Sequence, residues 1–422
     1  MGRGTKDIND IEQKGKHRMF DVRSFLAAIL AAAIPLAAVP VSPAGAAEAI
    51  RIGELNSYTG LPAFTLPYRQ GWQLGLEEIN AAGGVLGRPL EVISRDDGAK
   101  PGTAVTVTNE LISKEQVALV FGTLLSHIGL AVSDVAKQKK VVFIAAEPLT
   151  DTIAWSKGNR YTFRLRPGTY VQAAMLAEEA AKLPAKRWAT VAPNYEYGKS
   201  AVTAFKEILS AKRPDIQWVA EQWPALFKID AGPTVQALAQ AKPDAIFNVT
   251  FGSDLTKFVR EGKLRGLFDG REVVSVLSGE PEWIDSLKDE APKGWIVTGY
   301  PWYAIQTPAH TAFKDAYRAK FNDYPRLGSV VGYATIKAVA AALAKAGSTD
   351  SEKLVAAFRG LKVATPLGPI TFRAADQQST MGTYVGRLTV KDGMPRMVDW
   401  RFGDGADYLP SEADAAKMRP AD

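Results

Sequence analysis

The chain has 422 residues, 46% of them hydrophobic and 23% charged, a balance that excludes a disordered or polytopic membrane protein and, by length, points to two or three domains. Its formal net charge of +6 is spread over interspersed acids and bases, so no nucleic-acid partner is expected. No cysteine occurs, which rules out disulfides, thiolate metal sites, a cysteine nucleophile and a lipid-modified cysteine.

The first element is at the N-terminus. Lys14, Lys16, Arg18 and Arg23 precede the apolar residues 25–39, and Pro40, Pro43 and Ala44-Gly45-Ala46-Ala47 follow. The run is short for a bilayer span and carries the flanks of an export signal, so residues 1–46 read as a signal peptide cut near Ala46. A buried helix or an uncleaved anchor is the alternative, and either Met1 or Met19 is the start. Cleavage removes six basic and four acidic residues and lowers the net charge to +4. Export without a lipid anchor predicts the periplasm.

From Ile50 short apolar or β-branched runs alternate with longer amphipathic stretches. Strands are predicted at 50–55, 90–94, 117–121, 141–145, 188–191, 245–249 and 273–277. Helices are predicted at 70–82, 102–114, 126–137, 169–182, 199–211, 233–240, 255–263, 309–321, 328–346 and 351–358. Strands alternating with helices predict an α/β fold with a mostly parallel sheet. The alternation falls into two blocks, 50–165 and 188–280, which predicts two lobes. The segment 296–302 then leads to helices, and 370–372, 384–390 and 397–400 read as antiparallel strands. A chain that returns to earlier lobes crosses several times, hence a hinge.

Most catalytic chemistry lacks its residues. Gly198-Lys199-Ser200 suggests a P-loop, but the position five before Gly198 is Pro193, which has fixed φ and no amide hydrogen for a phosphate. Outside the signal only His127 and His310 remain, with no metal-ligand spacing, so no metal or cofactor is expected. His127, at a predicted helix start, reads as a cap or structural polar group. Asp96-Asp97 are adjacent and cannot face each other across a cleft as glycosidase acids must; they read as a turn or hinge network.

Taken in order, the residues resemble the periplasmic solute-binding proteins of ABC importers, specifically the leucine/isoleucine/valine-binding family. The resemblance runs from Ile50 to about Trp400. Its marks are Gly71 through Gly84 (GWQLGLEEINAAGG), Gly87-Arg-Pro-Leu-Glu-Val92, Asp96-Asp97, Phe121-Gly-Thr-Leu-Leu-Ser126, Tyr195-Glu-Tyr-Gly198 and Gly279-Glu280. It implies two Rossmann-like lobes joined by a three-strand hinge, a solute clamped between them, and a membrane permease that receives it. No covalent chemistry is implied, and a monomer is expected. Lobe 1 is expected over 47–167 plus about 302–378, lobe 2 over about 168–301 plus 379–405, and a C-terminal tail over 406–422.

The resemblance also places site residues. Ser126 matches the serine that holds a ligand carboxylate, or is a plain N-cap, or both. Tyr197 matches the tyrosine that closes over the ligand, or is a core aromatic; Tyr195 is a weaker candidate beside it. Glu280 matches the glutamate that pairs with a ligand ammonium, or is a surface loop acid, and Phe251 lines the apolar side or packs in the core. The chain departs from the family after 141–145, where Ala146-Glu147-Pro148-Leu149-Thr150 replaces small and hydroxyl residues. Pro148 has no amide hydrogen and Leu149 no hydroxyl, although Thr150 serves if the register slips by one. That weakens a simple α-amino acid as solute and leaves room for a hydrophobic or aromatic carboxylate, while the extra acid Glu147 favours an amide or a cation. Positions that carry a disulfide in some relatives are Ala99 and Leu125 here. The expected function is capture of a small organic solute; a ligand-sensing receptor and a secreted α/β hydrolase are the alternatives.

Overall fold

A computed structural model describes residues 48–420; the predicted signal peptide, residues 1–46, lies outside them. The first five strands are β1 (Ile50–Asn56), β2 (Leu90–Asp96), β3 (Val120–Gly122), β4 (Phe143–Ala145) and β5 (Thr162–Arg164). They form one parallel sheet in the order β2-β1-β3-β4-β5. Next come β6 (Arg187–Val191), β7 (Gln217–Gln222), β8 (Ala245–Asn248), β9 (Glu272–Gly279) and β10 (Ile296–Gly299). β11 (Lys362–Thr365) and β12 (Gly368–Thr371) make a separate hairpin. β13 (Thr383–Lys391) and β14 (Met394–Gly403) complete the second sheet, ordered β14-β13-β10-β9-β8-β6-β7. Only its β10-β13 and β13-β14 pairings are antiparallel. This is the predicted α/β fold of two Rossmann-like lobes, each a sheet with helices packed on it.

The chain crosses between the lobes after β5, after β10 and after β12. At the crossings the Arg164 amide donates to Gln377 O at 3.1 Å and the Ser379 amide to Arg164 O at 2.9 Å. The Arg164 side chain, 1% exposed, donates to Thr150 O at 2.6 Å and pairs with Asp151 Oδ1 at 3.0 Å. A buried guanidinium is tolerable only when its donors are met, and here they tie the hinge together.

The helices Pro62–Ala81 and Leu327–Ala346 pack against each other so closely that a Cβ on Gly71 would sit 2.0 Å from Ser329 O, and one on Gly332 2.1 Å from Tyr68 O. Leu327–Ala346 is long and apolar enough to cross a membrane, but it is mostly buried against its neighbours, as a core helix is.

Several elements differ from expectation. The first helix begins at Pro62 and runs through Pro67; proline suits a first turn but reads as a breaker further in, and only the stretch beyond it shows helical spacing. β5, β7 and β11 carry no clear apolar run: β7 is an edge strand with no fully buried residue, and β5 has three residues. The tail holds two short helices, Gly405–Tyr408 and Glu412–Met418. Its Arg419 donates to Ala154 O at 2.8 Å and Asp376 O at 3.0 Å. Asp96 and Asp97 do form a turn network, accepting from the amides of Tyr58 and Gly98 and from Ala99 N and Ser57 Oγ at 2.6–2.9 Å; they lie in the first lobe rather than at the hinge.

Candidate functional site

Parallel strands deliver their loops to one end, and in open α/β sheets ligands bind beyond those carboxyl ends. In the first lobe β3 ends on Gly122, whose φ of +124 and approach to Leu55 O leave no room for a Cβ. Thr123 follows in the left-handed region at φ 61, uncommon for a β-branched residue. The turn presents Leu124, Leu125 and Ser126, and β4 presents Glu147 and Leu149 beside them. In the second lobe β6 leads to Tyr195 and Tyr197, β8 to Phe251, and β9 to Leu277, itself left-handed at φ 65. Backbone strain of this kind persists where surrounding structure holds it and gathers at ligand clamps.

These residues, with Arg166 and Trp283, enclose a cavity of about 20 Å³. That is room for one or two water molecules, so a solute the size of an amino acid enters only when the walls separate. The walls are bonded across the cleft. Thr150 Oγ1 donates to Glu196 Oε1 at 2.7 Å, the Asp151 amide to Ser200 Oγ at 3.2 Å, and the Gly328 amide to Glu282 Oε1 at 2.6 Å. Phe64 stacks on Trp283 with centroids 5.6 Å apart. The cleft is closed.

At its floor Arg166, 2% exposed, holds two carboxylates. Its Nη1 meets Glu147 Oε2 at 3.1 Å and its Nη2 meets Glu280 Oε1. Glu280 Oε2 accepts from Trp283 Nε1 at 2.9 Å. Glu282 is nearby, with Oε2 unpartnered. Burial pushes the Glu280 carboxyl up to about 8 and Glu282 up to about 7, in each case against the lowering effect of Arg166. Burial also drives Glu147 well above the usual carboxylate range, with the negative charges of Glu280 and Glu282 adding to it. For Arg166 burial opposes the charge, but the three carboxylates prevail and raise it.

Of the residues predicted from sequence, Ser126, Glu147, Leu149, Tyr197 and Phe251 line this one cavity, and Glu280 reaches it through Arg166. Ser126 is not an N-cap: Leu125 holds that position, and Ser126 Oγ accepts the Thr150 amide at 3.2 Å. Glu280 is fully buried, which overturns the surface-acid alternative. Tyr197 and Phe251 are in edge contact at 5.6 Å, so each packs in an aromatic cluster and faces the cavity, and the Tyr197 hydroxyl has no hydrogen-bond partner. The Thr150 hydroxyl is engaged with Glu196. His127 is half-buried, edge-on to Tyr195 at 5.4 Å, and burial lowers its pKa. Leu125 lines the cavity. Arg166, Trp283, Leu124 and Leu277 were not anticipated. Among the described residues no group of three or more acids or histidines is arranged to hold a metal.

The sequence profile of the periplasmic binding protein family matches residues 49–394. The chain is 28% identical over 333 residues to the leucine-, isoleucine-, valine-, threonine- and alanine-binding protein of Pseudomonas aeruginosa, spanning 78% of this chain and 86% of that one. It is 24% identical over 378 residues to the Leu/Ile/Val-binding protein homolog 8 of Brucella abortus, spanning 83% and 87%. Among solved structures, a solute-binding protein of an ABC transporter from Rhodopseudomonas palustris BisB5, in complex with 3,4-dihydroxybenzoic acid, superposes with a TM-score of 0.75 at 25% identity, covering 85% of this chain and 98% of that one. An ABC-type branched-chain amino acid transporter from Rhodopseudomonas palustris CGA009 gives 0.69 at 26%, covering 85% and 98%. Two lobes, a hinge of three crossings, a cavity between facing strand ends and the profile match agree: the chain belongs to the periplasmic binding protein family and is the solute-binding component of an ABC transporter.

Proposed function

We propose that the protein captures a branched-chain amino acid, or a related hydrophobic or aromatic carboxylate, between its lobes in the periplasm and delivers it to the membrane permease. Residues 1–46 then serve as the export signal, and the lobes comprise 47–167 plus about 302–378 and about 168–301 plus 379–405. One observation carries the reading: Ser126, Glu147 and Leu149 of the first lobe and Tyr197, Phe251 and Trp283 of the second converge on one buried cavity of apolar walls and few polar groups, the make-up of a small-molecule site. The relatives' names span the same classes, from aliphatic amino acids to a dihydroxybenzoate. Ser126 contributes a hydroxyl, Leu149 and Phe251 apolar contact, Tyr197 a lid with a free hydroxyl, and Glu280 holds Arg166 in place. Capture needs only that the solute favour the closed state over the open one, with the monomer binding and releasing it unchanged.

Thermal-shift screening against branched-chain amino acids, aromatic acids and their amides tests this, because a bound solute stabilises by mass action. A dose-dependent rise in melting temperature with one of these classes is expected. Absence of stabilisation by all of them contradicts the solute assignment, and turnover of the compound contradicts the binding role.

A further inference from the structure

The carboxylate that the resemblance pairs with a solute ammonium is already taken. Glu280 Oε1 is bound to Arg166 Nη2 and Glu280 Oε2 to Trp283 Nε1, and Glu280 is not part of the cavity wall. Glu147 is. It is fully buried, its Oε2 accepts from Arg166 Nη1, and its Oε1 has no hydrogen-bond partner. Buried polar atoms in native proteins are almost always paired, so an orphan at a cavity wall marks where a donor belongs.

The local charge agrees. Glu147, Glu280 and Glu282 gather around Arg166, the cation in contact with Glu147 and Glu280, and burial raises all three carboxyls. Three buried carboxyls share one cation that is already engaged, so a solute anion finds no unpaired positive charge here, whereas an ammonium favours the ionised form of Glu147 and an amide N–H meets an unpartnered acceptor. The Tyr197 hydroxyl, on the same cavity, has no partner and is free to donate to a carboxyl or carbonyl oxygen of the same solute.

Resting on the capture reading above, we propose that Glu147 rather than Glu280 accepts the solute's nitrogen, so that the cleft selects an ammonium or amide on an apolar or aromatic body over the nitrogen-free carboxylate of the same skeleton. Arg166 and Glu280 form the fixed base of this subsite, and Glu147 Oε1 is its unpartnered acceptor.

The test uses matched compounds: leucine, 4-methylpentanamide and 4-methylpentanoate, and phenylalanine, 3-phenylpropanamide and 3-phenylpropanoate. Each is titrated calorimetrically into the wild-type protein and Glu147→Gln. The wild type is expected to bind a nitrogen-bearing member at least about ten-fold more tightly than its nitrogen-free partner, the worth of a hydrogen bond to a charged group. In Glu147→Gln that ratio is expected to collapse for the ammonium compounds; a purely structural role would lower all affinities together and leave it unchanged, which overturns the assignment. Equal or tighter binding of the nitrogen-free acids by the wild type overturns it too, while leaving solute capture intact, and decides the matter even if the variant fails to fold. Binding of none of the compounds overturns the capture reading for these classes and the assignment with it.

Discussion

Replacing Glu282 by glutamine is expected to stabilise the ligand-free protein, and to do so only above mildly acidic pH. Glutamine keeps the Oε1 that accepts the Gly328 amide at 2.6 Å and removes the charge that burial opposes. The folded-state carboxyl is pushed up from the usual 4.5 to about 7. A carboxyl raised in the folded state favours folding below its unfolded value and loses that contribution as pH rises through the folded one. The window is therefore about pH 4.5 to 7. At about 1.4 kcal/mol per pH unit for one proton, the penalty is under about 1 kcal/mol at pH 5 and at most about 3 kcal/mol at pH 8. Urea unfolding of wild type and Glu282→Gln at pH 5, 6.5 and 8 reads it directly. The gap between the two should open by about 2 kcal/mol from pH 5 to pH 8, in favour of glutamine. A variant no more stable than wild type at pH 8, or a gap that does not change with pH, refutes the view that this carboxyl is buried at an electrostatic cost.

Other outcomes follow from the same geometry. Arg166→Met leaves Glu147 and Glu280 buried without their cation and should cost up to about 3–5 kcal/mol in urea unfolding at pH 9 and less at pH 6, where the two raised carboxyls take up protons. Tyr197→Phe removes a hydroxyl that has no partner, so stability should change by less than about 1 kcal/mol, while solute affinity in a calorimetric titration falls several-fold; unchanged affinity removes that hydroxyl from the site. Gly332→Val places a branched side chain where a Cβ alone would lie 2.1 Å from Tyr68 O, and a loss of at least about 1–3 kcal/mol is expected in thermal melts. Ser200→Ala deletes an acceptor of the Asp151 amide across the cleft and should shift the ligand-free population toward the open form, read as a larger radius of gyration in solution scattering.

The lobes were legible because buried parallel strands write themselves as short apolar runs bounded by glycine and proline, as β6, β8 and β9 do. β7 escaped because its side chains are half-exposed at the edge of the sheet, where burial imposes no pattern. The cavity wall was legible where the family resemblance named a residue, and through Glu147, whose charge stood out after an apolar strand. Arg166 was not. In Arg164-Leu165-Arg166-Pro167 nothing local separates a buried arginine from a solvated one; only its partners do, and they lie 19 and 114 residues away. Trp283 was equally hidden, since its role comes from stacking on Phe64 of the other lobe. Its position just after Gly279-Glu280, where β9 delivers its loop to the cleft, is the one signal that could have found it. Contacts between lobes depend on how the lobes close, which no periodicity within one lobe records.

The measurement closest to the central claim is a calorimetric titration of the most stabilising compound from the thermal screen, followed by recovery of the bound material. Capture between two lobes predicts one saturable site per chain, loss of affinity in Tyr197→Ala, and a solute recovered chemically unchanged. No saturable binding, normal binding by Tyr197→Ala, or recovery of a transformed product would contradict it.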